Sequence, residues 1–369
     1  MKRQAIALLL VFTFAILILS GCGQQTTAPS GDQDENYIGG TLNILVMPGY
    51  EEEQIIQPFE EKYGVKVNSR VYSSSDQMFS ILTNSQPGEW DVVTPDTPWV
   101  EKLVAADMIA PLDPGDYPEI KNFYDHWQDF EQLFVNDQMY SIVSRWGYYG
   151  IVYNSNYVTE EEAMSMDVMW DPKYKGKIVL FDWYLPNMGM LGAYLGHEQP
   201  YEIEGPDLDE LEETLYSLRP QVGVIAATNA DTIQALANES AWLSFGGEWL
   251  QVLLKGEGYP IEVVMPKEGG VSWTESLSIM KHSQNPEAAK AFVQYLISPE
   301  VQAKLAWANA FHSTVPNMKA ADYLSAEQAA LLRMDNPELL NDMLDRIATR
   351  IVPANEKEWQ TIWEQFKSK

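Results

Sequence analysis

The sequence predicts an α/β fold built as two lobes. Strand and helix patterns alternate twice, over residues 41–108 and again over 176–266, and such alternation implies a parallel sheet with helices on both faces. The body beyond residue 40 is roughly 330 residues long, past the size at which a single hydrophobic core stops growing.

Taken in order, "TLNILV" (41–46) reads as a buried strand. "EEEQIIQPFEEKYG" (51–64) reads as a helix with Ile55, Ile56, Phe59 and Tyr63 on one face and Gly64 as its stop. "VKVNSRVY" (65–72) is a second strand. "SSSDQMFSILTN" (73–84) places a serine cap before Met78, Ile81 and Leu82, and "WDVVTP" (90–95) is a strand leading into the helix "PWVEKLVAADM" (98–108). The second half offers the strand "GKIVLFD" (176–182), the helices "PDLDELEETLYSL" (206–218) and "NADTIQALAN" (229–238), and the strands "AWLSF" (241–245) and "IEVVMP" (261–266). In "NPEAAKAFVQYLISPEVQAKLA" (285–306), Asn285-Pro286 and Ser298-Pro299 each pair a polar cap with proline at the first helical position. There is no internal repeat.

Ahead of this body, Lys2 and Arg3 precede an apolar stretch from Ala5 to Leu19, the pattern of an export signal. The stretch is shorter than the roughly 20 residues a membrane-spanning helix needs. Leu19-Ser20-Gly21-Cys22 resembles the bacterial lipoprotein signal, which implies cleavage before Cys22 and acylation of that cysteine. Residues 1–21 are then the signal peptide. Residues 22–40, rich in Gln, Thr, Ser, Gly and Asp, form a lipid-anchored flexible tether.

Composition narrows the function. Without residues 1–21 the chain carries 22 basic against 53 acidic residues, a charge of −31. That argues against nucleic acid, whose affinity comes from Lys and Arg neutralising phosphates. Cys22 is the single cysteine, so no disulfide can form within the chain and stability rests on packing. The 12 Trp and 19 Tyr are numerous enough to line a cleft for amines or sugars as well as to fill cores. Glycine-rich phosphate loops and the G-x-S-x-G elbow are absent from the sequence. His126, His197, His282 and His312 are scattered, and His197-Glu198 lacks the second histidine of a zinc motif. "GDQDEN" (31–36) opens like a calcium loop without its closing glutamate. The reading therefore assigns no catalytic residue, metal ligand or cofactor.

Six segments carry a family resemblance: "LVMPGYEEEQIIQPFEEKYGVKV", "WDVVTPDTPWVEKLVAADMIAPLD", "RWGYYGIVYN", "DPKYKGKIVL", "VVMPKEGGVSWTESLSI" and "NPEAAKAFVQYLISPEVQAKLA". Together, over residues 41–318, they resemble the spermidine/putrescine-binding subfamily of bacterial ABC-importer solute-binding proteins. The most specific part is "PKEGGVSWTES" (266–276), followed by the helix with "FVQYLISPEV" (292–301). The resemblance implies a periplasmic-binding-protein-like clamshell, with ligand held between lobes joined by crossing strands near Trp146-Gly147, Ser272-Trp273 and Tyr323. Lobe one is then 41–146 plus 273–321, and lobe two 147–272 plus 322–369. It implies further a monomer that delivers a small amine to ABC permease subunits and meets the membrane only through its N-terminal lipid.

In that family aromatic rings clamp the methylenes and carboxylates hold the ammonium groups. The resemblance places Trp273 and Glu275 at a ligand tryptophan and an ammonium-binding acid, Tyr50 at a ligand aromatic, and Asp96 at a polar contact. Phe311 falls near a later aromatic, in a loop with two extra residues. Where polyamine binders carry two cleft carboxylates, this chain has Trp183 and Pro186. The tryptophan expected after "AWLSF" becomes Phe245 or Gly247, with Glu248 and Trp249 close by, and Glu248 could restore a negative charge from another direction. Arg145 faces the cleft or the solvent depending on strand phase, and in the cleft it would suit a ligand carboxylate. Trp273 and Glu275, two apart on a strand, share a face. Tyr50 and Trp99 could equally pack helix ends, Trp183 a core, and Trp146 a hinge. A zwitterionic or quaternary-amine ligand, a sensory receptor and an extracytoplasmic enzyme stand as alternatives to polyamine uptake.

Overall fold

The computed structural model describes residues 37–369. Cys22, the signal segment 1–21 and most of the 22–40 tether lie outside the described residues. The strands are β1 (Thr41–Val46), β2 (Lys66–Val71), β3 (Val92–Val93), β4 (Phe134–Val135), β5 (Gln138–Met139), β6 (Ile142–Asn154), β7 (Ile178–Phe181), β8 (Val222–Ala226), β9 (Leu243–Gly246), β10 (Ile261–Val264), β11 (Gly270–Ile279), β12 (Trp307–Ala308), β13 (Phe311–His312) and β14 (Ile347–Ala348). Ten of them form one sheet in the order β2-β1-β3-β11-β6-β9-β7-β8, with β10 added on β6 and β14 on β11.

The expectation of a parallel sheet holds at the two ends and fails in the middle. β1 pairs in parallel with β2 and β3, and β7 with β8 and β9. At the centre β11 runs antiparallel to β3 and β6, and β6 runs antiparallel to β9 and β10. The reason lies in two long strands that cross from one half of the sheet to the other. β6, with 13 buried residues, is about 43 Å long at the usual rise per residue. Through residues 142–149 it pairs with β11, and from 150 onward with β9 and β10. Each crossing strand runs against the long strands beside it, and only the two-residue β14 lies parallel to β11.

Strand alternation puts apolar side chains on both faces of the first half. Leu42, Ile44 and Val46 join the main core, while Leu45 joins a second one with Tyr72, Met78, Val93, Trp99 and Leu103. The first helix runs Glu53–Tyr63, buries Ile55 and Phe59, and ends at Gly64 with φ 64°, a left-handed conformation natural to glycine. Phe59 packs edge-on against Phe292 of the helix Pro286–Leu296, centroids 4.9 Å apart. The Ser74 side chain accepts from the Gln77 amide and Asn285 from Ala288, but Ser298 makes no capping bond. The helix expected over 98–108 begins as a 3-10 turn, Thr97–Trp99, and is α-helical only over Val100–Ala105.

Two further differences stand out. The helix Tyr184–Tyr194 is buried at every position through Ala193, so it has no polar face to announce it. The tether also ends earlier than residue 40. Ile38 and Gly39 both donate to the Tyr63 carbonyl, at 2.9 and 3.1 Å, and Asn285 donates to the Gly39 carbonyl. A carbonyl left over at a helix C-terminus captures the passing chain, so Ile38 and Gly39 are held against the first helix.

Candidate functional site

The crossing of β6 and β11 gathers the residues that the sequence singled out. Antiparallel register sets Glu275 opposite Arg145, and Trp273 opposite Gly147. Trp273 and Glu275 thus share a face, as their spacing requires, and Arg145 turns inward from the facing strand.

Arg145 is 1% exposed. Its Nε and Nη2 donate to Glu275 Oε2 at 2.9 and 2.7 Å, and Nη2 also reaches the Pro48 carbonyl at 2.9 Å. The Tyr50 hydroxyl donates to the same carboxylate oxygen at 3.0 Å and stands 2.6 Å from Ser144 Oγ, which in turn bonds the Glu275 carbonyl. The guanidinium lies 4.5 Å over the Tyr50 ring and 5.6 Å from the Phe311 centroid. Its Nη1 is buried without a partner. Gly49, at φ 105°, passes in front of it, and a Cβ there would come to 3.0 Å of that nitrogen. The strand phase that the sequence left open is settled: Arg145 pairs with Glu275 inside the protein.

Asp96 forms a backbone bridge to Glu275, and its carboxylate accepts from Arg350 Nη2. The Arg350 guanidinium lies 4.8 Å over the Trp183 ring, at the start of the buried helix. Its backbone amide donates to Ser272 Oγ on β11. Burial raises the Asp96 pKa, and the guanidinium opposes this.

Next to this cluster, Trp273, Trp249 and Phe311 form an aromatic trio. Trp273 meets Phe311 edge-on at 5.5 Å and Trp249 edge-on at 6.0 Å, while Trp249 and Phe311 stack at 6.0 Å. Phe311 enters on the β12–β13 hairpin, paired with Ala308. Glu248 opens the helix Glu248–Gly256 and is 2% exposed. Among the described residues neither of its carboxylate oxygens has a hydrogen-bond partner, nor has the indole nitrogen of Trp249 or Trp273. A Cβ on Gly147 would lie 2.4 Å from Glu248 Oε1 and 2.5 Å from Trp273 Nε1, so only glycine lets these groups converge. Burial pushes the Glu248 carboxyl up to about 7, opposed by the backbone amides of Glu248, Tyr148 and Thr314, which lie near it without full bonding geometry, and by Arg333.

Some aromatics have plainer roles. Trp146 is fully buried and packs at 5.2 Å from Trp127 and 6.4 Å from Tyr124. Trp99 belongs to the second core. Pro186 is buried in the first turn of the helix that starts beside Trp183. Sequence reasoning missed Arg350 and Ser144. Arg350 sits in "RIATRIVPA", with no motif around it, and its partner Asp96 is 254 positions away.

Two α/β halves joined by long crossing strands, with aromatic rings and buried acids at the crossing, define a two-lobed ligand-binding protein. Residues 54–331 match the family described as Bacterial extracellular solute-binding protein. This chain belongs to that family. Among curated relatives it is 29% identical over 309 residues to the spermidine/putrescine-binding periplasmic protein of Salmonella typhimurium, covering 82% of this chain and 84% of the relative. It is 24% identical over 322 residues to spermidine/putrescine-binding periplasmic protein 1 of Haemophilus influenzae, covering 86% and 87%. Its fold superposes with a TM-score of 0.76 on the spermidine/putrescine ABC transporter substrate-binding protein PotD of Streptococcus pneumoniae, at 22% identity, covering 89% of this chain and 99% of that one.

Proposed function

We propose that this chain is the extracytoplasmic receptor of an ABC importer, capturing a small amine of the spermidine/putrescine class and passing it unchanged to the permease. The observation that carries this reading is Glu248, a buried carboxylate without a partner beside three aromatic rings. A carboxylate in such surroundings is costly unless a cation meets it, and ring faces attract cations. The names of the curated relatives support the ligand class. Ligand contacts are assigned to Trp249, Trp273, Phe311 and Glu248 directly, with Tyr50, Arg145, Glu275, Asp96 and Trp183 forming the wall behind them. The lobes divide as 41–146 plus 273–321 and 147–272 plus 322–369, closing about β6 and β11. A ligand with an acidic end is the second reading, favoured by the unpartnered Nη1 of Arg145.

Thermal-shift screening tests both. Putrescine or spermidine at 100 times its dissociation constant should add about 2.7 kcal/mol of stability. A shift with amino acids and none with amines would overturn the amine reading.

Attachment to the membrane is assigned to lipid on Cys22, with the protein acting as a monomer. Among the described residues no helix is long and apolar enough to cross a membrane. Cys22→Ser should move the protein from the membrane to the soluble fraction with ligand affinity unchanged. Retention of that variant on membranes after high-salt and carbonate washing would refute the anchor.

A further inference from the structure

The three acids at the strand crossing are not equivalent. Glu275 is held by Arg145 and Asp96 by Arg350, whereas among the described residues no cationic side chain pairs with Glu248. Arg350 is 3% exposed, with Asp96 on one side and the Trp183 ring 4.8 Å away on the other. A carboxylate facing an aromatic surface is the environment that an ammonium group seeks. The backbone on either side of this guanidinium is tied down: the Arg350 amide bonds Ser272 Oγ at 3.2 Å, and the Arg350 carbonyl accepts from Gln132 at 2.8 Å. Arg145 is fixed in the same manner by Glu275 and the Pro48 carbonyl.

We propose that Arg350 is a built-in cation occupying an ammonium position, so that the site reads one ammonium group, at Glu248, and favours a short diamine over a triamine. The inference rests on the amine reading above and refines it. With Glu248 ionised, three acids face three guanidiniums, those of Arg145, Arg350 and Arg333, the last acting on Glu248 without pairing with it, so the crossing holds no surplus negative charge for a second ammonium. Every additional ammonium enters a region that already holds Arg145 and Arg350, where surroundings poor in water strengthen like-charge repulsion. Trp183 and Asp96 then serve specificity by holding Arg350.

Calorimetric titration of the purified full chain with putrescine and with spermidine decides the matter. The wild type should bind putrescine more tightly, by roughly tenfold or more. Arg350→Gln removes the built-in cation and frees Asp96 and Trp183, so spermidine should gain and the gap should shrink to within about threefold. Spermidine binding as tightly as putrescine in the wild type would overturn the inference while leaving the amine reading intact. An undiminished gap in a folded Arg350→Gln protein would also overturn it, because pocket length rather than charge would then select. The wild-type ranking decides alone where the variant does not fold. No heat with either amine overturns the amine reading and this inference with it.

Discussion

Replacing Glu248 by glutamine should weaken amine binding by roughly thirty- to several-thousand-fold, because a buried charge-assisted bond left half-made typically costs about 2–5 kcal/mol. Glutamine keeps the shape and deletes the charge, so Trp249, Trp273 and Phe311 should retain their packing. The same variant carries a pH signature. Burial holds the Glu248 carboxyl up at about 7 in the folded protein, against about 4.5 for an unburied glutamate. Between those values the folded state holds a proton that the unfolded chain has released. Stability therefore falls as pH rises from about 4.5 to about 7, by on the order of 3 kcal/mol from this group. An ammonium ligand favours the ionised form, so binding should tighten as pH rises through about 7. In Glu248→Gln both slopes should flatten, with the ligand-free protein more stable than wild type at pH 8. Urea denaturation and calorimetry at pH 5 and pH 8 provide the check. Unchanged slopes, or an affinity within twofold of wild type, would show that Glu248 is not the cation anchor.

Glu275 should behave differently from Glu248, although the family resemblance implies that Glu275 holds the ammonium. Its carboxylate already accepts two nitrogens of Arg145 and the Tyr50 hydroxyl. Removing one member of a buried ion pair strands the other, which typically costs about 3–5 kcal/mol. Arg145→Met and Glu275→Gln should therefore each lower the urea midpoint substantially, before any question of ligand arises. Replacing the pair together by apolar side chains should cost much less than the two single changes combined, since no charge is left uncompensated. A double-mutant cycle in urea measures this. Single variants within 1 kcal/mol of wild type would mean that the pair opens readily and that Glu275 is free to bind ligand after all.

Local chemistry made much of this protein legible in its sequence. Periods of 2 and 3.6 residues, proline starts and glycine stops located the outer strands and most amphipathic helices, because these signals act between residues a few positions apart. The shared face of Trp273 and Glu275 followed from their spacing alone. The helix Tyr184–Tyr194 escaped because it is buried all round, and the antiparallel centre of the sheet escaped because strand direction depends on how distant segments return to one another. The site divides the same way. Its residue types and most of its positions could be read from the sequence, but the pairing of its charges could not. Arg145 meets Glu275 across 130 residues and Arg350 meets Asp96 across 254, so which acids are already neutralised is settled by strand register and chain return. Sequence by itself determined the alternation of strands and helices in two halves and, through the family resemblance, which acids and aromatic residues to look for near the crossing strands. Only the tertiary structure decided that two of those acids are taken by arginines and that Glu248 is left without a partner, because Coulomb interactions depend on distance in space and burial, neither of which spacing along the chain encodes.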